Sequence, residues 1–303
     1  MEIDDRAFPL TRGQLDIWLS QQTGRSGAQW HLGQFVRIDG PVQADLLERA
    51  IEQAMQEAEP LRATFFEVDG QVFQRAIDDP DIKLDVYDLT GSDDPVREAR
   101  EMATAIQSVP MPLDDLLMKF ALFQTGPEEY YWFACLHHIN VDGSGIGLLG
   151  RRIAAIYSAL VSGSPISPAF FGSLRDLIGL ELEYEASNDY LEDRAYWAEN
   201  LPSDSGPEYS SPVGADDPDS YWPSAPAQLD PSTLGRIKQL AKRLGVRQSS
   251  VITAACALLV RAYGDDGTDE VVLDFPVSRR VRPESKTVAG KITGDVPLVL
   301  QSS

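Results

Sequence analysis

Between residues 42 and 59, apolar side chains recur at helical spacing, with Leu46, Leu47, Ala50, Ile51, Ala54 and Met55 on one face. A similar pattern predicts helices over 12–22, 95–108, 144–160, 181–200, 231–244 and 249–263. Period-two alternation or short apolar runs predict strands over 30–39, 61–68, 71–77, 116–124, 130–139 and 270–276. Residues 296–300 read as a further strand. Asp69-Gly70, between two of these runs, is a hairpin signal. The run Tyr131-Trp132-Phe133-Ala134-Cys135-Leu136 has no polar alternate position, so its strand should be buried on both faces. The Ser-, Pro- and Asp-rich stretch from Pro202 to Pro226 interrupts the pattern and is expected to be a surface loop. Strands and helices alternate in two blocks, 1–175 and 176–303, which predicts an α/β class with two lobes. The second block holds too few elements to close a sheet alone, so the chain reads as a piece of a longer polypeptide.

Charge narrows the function classes. The 303 residues carry 47 Asp and Glu against 26 Lys and Arg, a net −21, which disfavours nucleic acid and anionic membrane surfaces as partners. Arg151-Arg152 and Arg279-Arg280 with Arg282 are the groups that could meet an acidic partner, or equally be solvated surface charge. Cys135 and Cys256 both lie in apolar runs and are expected to be small buried side chains in a reducing, cytoplasmic setting. The acidic first five residues lack the apolar core of a signal peptide, and no run reaches the ~18 residues of a membrane span.

The candidate chemistry sits at the end of the most apolar strand. Only three histidines occur, His31, His137 and His138, and two of them are adjacent there. Neighbouring strand residues point to opposite faces, so one imidazole can face a cleft and the other the interior. Imidazole titrates near neutral pH and suits proton transfer from an attacking amine or hydroxyl. Asp142 is expected to turn inward, where it needs a cation, and Gly143 to permit a tight turn. A metal site on His137, His138 and Asp142 is disfavoured by their diverging directions and by the lack of a nearby fourth ligand. Gly145, Gly147 and Gly150 match G-x-G-x-x-G, but no acidic residue follows at the spacing a dinucleotide site requires. Close packing of the helix is the expected use of these glycines. No nucleophile is evident, which fits direct attack on an activated acyl group.

The segment His137-His138-Ile139-Asn140-Val141-Asp142-Gly143 resembles the H-H-x-x-x-D-G signature of the condensation-domain superfamily of nonribosomal peptide synthetases and related acyltransferases. Five further segments resemble that family in the same order. They are Pro9–Leu19, Glu59–Phe65, Asp193–Trp197, and the pair Val271–Val277 with Val296–Leu298. The resemblance implies two chloramphenicol-acetyltransferase-like lobes in a V around a tunnel, the second lobe incomplete here. It implies a catalytic His138 acting on the acceptor amine and a largely structural His137. It also implies an Asp142 held by a salt bridge, for which Arg62 is the expected partner, and a Gly143 that keeps the donor side open. Asp295 and Gly294 stand where the family often carries asparagine, which bears on the tunnel wall.

The function so implied is amide formation between a carrier- or coenzyme-A-bound acyl thioester and an aminoacyl carrier protein. The opening and the Asp193–Trp197 segments are most similar to starter domains, which attach a fatty acyl group in lipopeptide biosynthesis. The domain would bind no cofactor itself, because phosphopantetheine arrives on the carrier or on coenzyme A. Its partners would be carrier domains, an adjacent adenylation domain and the acyl and aminoacyl substrates. A carrier-docking module without catalysis and an ester-forming acyltransferase are the alternatives.

Overall fold

The computed structural model describes residues 6–22, 27–201, 229–263 and 270–301. The predicted loop over 202–226 and the chain start lie outside these residues. The chain divides into two compact units, one of Met1–Ser187 with Ser278–Gly294 and one of Asn188–Val277 with Asp295–Ser303.

The first unit is built on a four-stranded sheet. Its strands are β2 (His31–Asp39), β5 (Leu84–Asp88), β6 (Met118–Gly126) and β7 (Glu129–His137), in the order β2-β7-β6-β5. All pairings are antiparallel except β5 with β6. A smaller sheet orders β1 (Phe8–Pro9), β4 (Gln71–Ala76) and β3 (Ala63–Val68) as β1-β4-β3. Asp69 and Gly70, both at positive φ, make the hairpin turn.

As the apolar run predicts, β7 is buried on both faces. Trp132, Ala134 and Leu136 pack with α2 (Ala44–Glu57) and α4 (Gly143–Ser162) through Leu47, Ile51, Met55, Leu149 and Ile153. Tyr131, Phe133 and Cys135 face Ile17 of α1 (Arg12–Gln22) and Ala99 and Ala103 of α3 (Pro95–Ser108). The strand pleat therefore decides which layer each side chain joins.

The predicted boundary after residue 175 is corrected by packing. Helix α5 (Leu174–Glu185) belongs to the first unit because Leu174 and Leu177 are buried with Ala63 and Val288. The helix predicted over 181–200 is in fact two, α5 and α6 (Asn188–Asn200), separated at Ala186 and Ser187. The short β5 was not predicted, since its exposed Asp85 and Val86 hide the alternation.

The second unit contains α6, α7 (Pro231–Leu244), α8 (Gln248–Tyr263) and the paired strands β8 (Glu270–Val277) and β9 (Gly294–Gln301). Cys256 is exposed on α8, contrary to the expectation of burial, whereas Cys135 is buried. Among the described residues, α8 buries Ala257 rather than its whole circumference. No helix of the described residues is long and apolar enough to cross a membrane.

One of the arginines considered as surface charge is internal. The Arg152 side chain is 1% exposed and pairs with Glu57 through two hydrogen bonds of 2.6 and 2.7 Å, joining α4 to α2. Arg152→Ala should cost about 3–5 kcal/mol, because it leaves the largely buried Glu57 carboxylate without its cation. Urea unfolding followed by tryptophan fluorescence checks this, and a loss below about 1 kcal/mol would contradict it.

Candidate active site

The end of β7 is fastened from three directions. The His137 amide donates to the Leu117 carbonyl at 3.0 Å and the His138 amide to the Trp30 carbonyl at 2.7 Å. Gln14 of α1, 1% exposed, donates to the Ile139 carbonyl at 3.2 Å and bonds Gln74 of β4. The Asn140 side chain donates to the carbonyls of Leu61 and Ala63, on either side of Arg62. The segments around Gln14, Arg62 and the histidines, far apart in sequence, thus meet at one turn.

The two histidines have opposite environments. His137 is 0% exposed and lies on the α1 side of the sheet, its ring 5.5 Å from that of His31. Its Nδ1 accepts the Ile139 N–H at 3.2 Å, and its Nε2 lies 2.9 Å from the Gln21 side-chain nitrogen. Burial, with His31 and His138 nearby, pushes the His137 pKa down to about 3. His138 is partly exposed, and its Nδ1 lies 2.7 Å from the Val141 carbonyl oxygen. A carbonyl only accepts, so Nδ1 carries the proton and Nε2 keeps a lone pair. Burial, then Lys291, lowers the His138 pKa against the opposing pull of the Val141 carbonyl and Asp142. A neutral imidazole with one free lone pair is the form that can take a proton from a nucleophile.

Asp142 is where the structure corrects the expected pairing. The carboxylate is 1% exposed and N-caps α4, accepting from the Gly145 N–H at 2.8 Å. Its cation is Arg280, not Arg62, with Nη2 to Oδ1 at 2.8 Å. Its second oxygen accepts the N–H groups of Ile292 and Thr293 at 3.1 Å and the Thr293 hydroxyl at 2.9 Å. Burial pushes the Asp142 pKa up, but the Gly145 N–H, Arg280 and the Thr293 and Ile292 N–H groups outweigh it, and the net shift is downward. Arg62 instead donates to the Ile77 carbonyl, which ties the start of β3 to the end of β4. Arg280 also donates to the carbonyls of Ser285, Val288 and Gly290 and so folds its own segment around itself. Arg279 and Arg282 face Glu181 and Glu183, so none of this trio is a free basic patch.

The glycines divide by role. Gly143 needs no positive φ, and a Cβ there would meet nothing within 4 Å, so its contribution is open space rather than a strained turn. A Cβ on Gly145 would stand 2.8 Å from Val141 and 3.4 Å from Ala289. Gly145 therefore lets α4 approach the 288–290 segment, a packing role that leaves the G-x-G-x-x-G match without a nucleotide meaning. Burial pushes the Cys135 thiol up to about 12, so it is no thiolate nucleophile at neutral pH. Among the described residues, no three His, Cys, Asp or Glu side chains could share a metal ion.

The sequence did not reveal that Arg280 and Thr293, both on the 278–294 segment, are partners of Asp142. Lys291 is 5% exposed, an unusual place for lysine, but nothing in its sequence neighbours marks it.

The depressed His137 pKa gives a stability prediction. Unfolded, His137 takes a proton near pH 6.5, and folded it does so only near pH 3. Its contribution to stability is complete above pH 6.5 and falls as pH drops through that window, by up to about 1.4 kcal/mol per pH unit. His31 and His138, lowered in the same sense, add to the slope. His137→Gln should flatten the dependence of urea-unfolding free energy on pH between 6.5 and 4.5. Parallel curves for the two proteins would contradict the assignment.

Comparison with known proteins gives a consistent set of relatives. The family model for the condensation domain matches residues 5–303. The chain is 29% identical over 300 residues to the dimodular nonribosomal peptide synthase of Bacillus subtilis (strain 168), covering 99% of this chain and 12% of that protein. It superimposes with a TM-score of 0.84 and 28% identity on the first condensation domain of the CDA synthetase, covering 99% of this chain and 72% of the other. The starter condensation domain of rhizomide synthetase, in a mutant form bound to C8-CoA and Leu-SNAC, is similar at a TM-score of 0.81 and 27% identity. There the match covers 98% of this chain and 67% of the other. The chain thus spans a small fraction of the synthetase and about seven-tenths of the solved domains. With the mixed α/β fold and the fastened histidine turn, these matches show that the chain belongs to the condensation-domain family.

Proposed function

We propose that this chain supplies the catalytic histidine of a nonribosomal peptide synthetase condensation domain, joining an acyl thioester to the amine of a carrier-bound amino acid. The observation that carries this reading is the His138 tautomer. Its Nδ1–H is committed to the Val141 carbonyl, which leaves Nε2 as a base on a partly exposed ring.

The chemistry closes without a covalent enzyme intermediate. The acceptor amine attacks the thioester carbonyl carbon, and an N–C bond forms. His138 Nε2 takes the amine proton as the tetrahedral intermediate develops. The intermediate collapses, the C–S bond breaks, and the departing sulfur receives the proton from His138. Asp142 takes no proton in this scheme. It holds the turn in register, and the buried His137 supports it from the other side of the sheet. Gly143 leaves open space beside the turn. Phosphopantetheine is a substrate arm here, brought by carrier domains or coenzyme A, with an adenylation domain loading the acceptor.

The donor is a fatty acyl group in this reading. Its support is the similarity to the starter condensation domain bound to C8-CoA, together with the opening segment around Gln14 and the Asp193–Trp197 segment.

The test is a single turnover in the synthetase module carrying this chain, with a medium-chain acyl-CoA donor and product followed by mass spectrometry. His138→Ala should lower the amide-forming rate by about 10²–10⁴-fold, the range for removal of a general base. Undiminished amide formation would overturn the assignment. Docking without chemistry would leave the wild-type module inactive, and an ester-forming enzyme would prefer a hydroxyl acceptor.

A further inference from the structure

Helix α1 meets the histidine turn along one face. Gln14, Ile17 and Gln21 recur at the spacing that places residues on the same side of a helix. Ile17, 2% exposed, packs in the same apolar cluster as Ile139. The glutamines on either side of it reach the two neighbours of His138. Gln14 Nε2 donates to the Ile139 carbonyl at 3.2 Å, and the Gln21 side-chain nitrogen lies 2.9 Å from His137 Nε2. Gln14 is itself tightly held. Its Oε1 accepts the Thr11 N–H at 2.9 Å and the Gln74 amide at 2.7 Å. Its Nε2 donates to Gln74 Oε1 at 2.9 Å, so the two side chains form a closed amide pair, both buried. The other N–H of Gln74 goes to the Pro9 carbonyl at 2.9 Å. Every donor and acceptor position of the Gln14 amide is filled, and any rotation would leave a buried polar atom unpaired.

We propose that Gln14 and Gln21 are positioning residues for the proposed reaction, gripping the residues before and after His138 so that the turn keeps its ring in the Nδ1–H tautomer. This rests on the reading of His138 as the base. Ile139 lies between His138 and the Val141 carbonyl that faces His138 Nδ1 at 2.7 Å. The rest of the turn has its own anchors, the His138 N–H on Trp30 and the Asn140 side chain on Leu61 and Ala63. Gln14 is the donor that meets the Ile139 carbonyl among the described residues. Released from it, the peptide after Ile139 can rotate and carry the Val141 carbonyl away from the ring. The imidazole then exchanges Nδ1–H for Nε2–H, and the lone pair leaves the reacting position. Gln21 acts on the other neighbour, holding the His137 ring at the end of β7. Neither glutamine acts on the substrate in this scheme, so their loss falls on the chemical step rather than on binding.

The test has two readouts. The full chain, labelled with ¹⁵N-histidine, has three imidazoles whose nitrogen shifts report the tautomer at a pH where the rings are neutral, and His138→Gln identifies the His138 signals. The wild type should show His138 as Nδ1–H, and Gln14→Met should show a mixture with Nε2–H. An unmoved His31 signal reports that the sheet is intact, and Gln21→Met serves in the same way if the Gln14 variant does not fold. In the synthetase module, Gln14→Met should lower the single-turnover rate by about 10–10²-fold, the scale of a 1 Å misplacement. The acceptor concentration that half-saturates the rate should stay unchanged. Added to His138→Ala, the same substitution should cost nothing further. A His138 tautomer unchanged in every folded variant would overturn the proposal. So would an equal loss of rate in the wild-type and His138→Ala backgrounds, since the damage would then not pass through the base. If His138→Ala keeps its amide-forming rate, the catalytic reading fails while the nitrogen shifts still decide whether α1 sets the ring.

Discussion

A single buried carboxylate organises the histidine turn. Asp142 accepts five hydrogen bonds, from the Gly145 N–H, Arg280, two amides at 292 and 293, and the Thr293 hydroxyl. A charge removed from water this far is tolerable only when its lone pairs are filled and a cation is near. Filling them brings three parts of the chain together: the first turn of α4, the arginine-centred loop, and the strand-like run that leads to β9. The positive end of the α4 dipole favours the same carboxylate. His138 is four residues away in the same turn, so whatever fixes Asp142 also fixes the proposed base.

The second constraint is the pleat of β7. Because both faces of this strand are packed, the alternation of side chains leaves no freedom over which histidine goes where. His137 falls on the α1 face, meets His31 and Gln21, and is held neutral by burial. His138 follows the last strand residue, where the backbone turns and the ring is partly exposed. Two adjacent and identical residues thus acquire different environments from one geometric rule, one buried and one partly exposed. The carbonyl of Val141 then selects the His138 tautomer, with no side-chain partner needed.

Much of the first unit was legible in the sequence because its elements are long and strongly periodic. The helix now bounded by Ala44 and Glu57, the Asp69-Gly70 hairpin and the doubly buried β7 follow from spacing and turn chemistry alone. The histidine pair stood out for its place at the end of an apolar run. The ion pair did not follow in the same way. Arg62 stands alone in sequence and Arg280 sits among Arg279 and Arg282, and neither setting points to Asp142. Only the tertiary path of the 278–294 segment, 138 residues beyond Asp142 at Arg280, decides between them. Lys291 was invisible for the same reason, since a lysine's burial is set by distant neighbours rather than by local pattern. Cys256 misled because an apolar helical run says nothing about which face finds a partner.

If Asp142 is the node, removing its charge should loosen its partners and spare the sheet. Hydrogen–deuterium exchange by mass spectrometry, comparing the wild type with Asp142→Asn, measures this directly. The account predicts faster exchange in peptides covering 285–294 and the first turn of α4, with protection in β6 and β7 retained. Uniform loss of protection across the first unit, or unchanged exchange over 285–294, would contradict it.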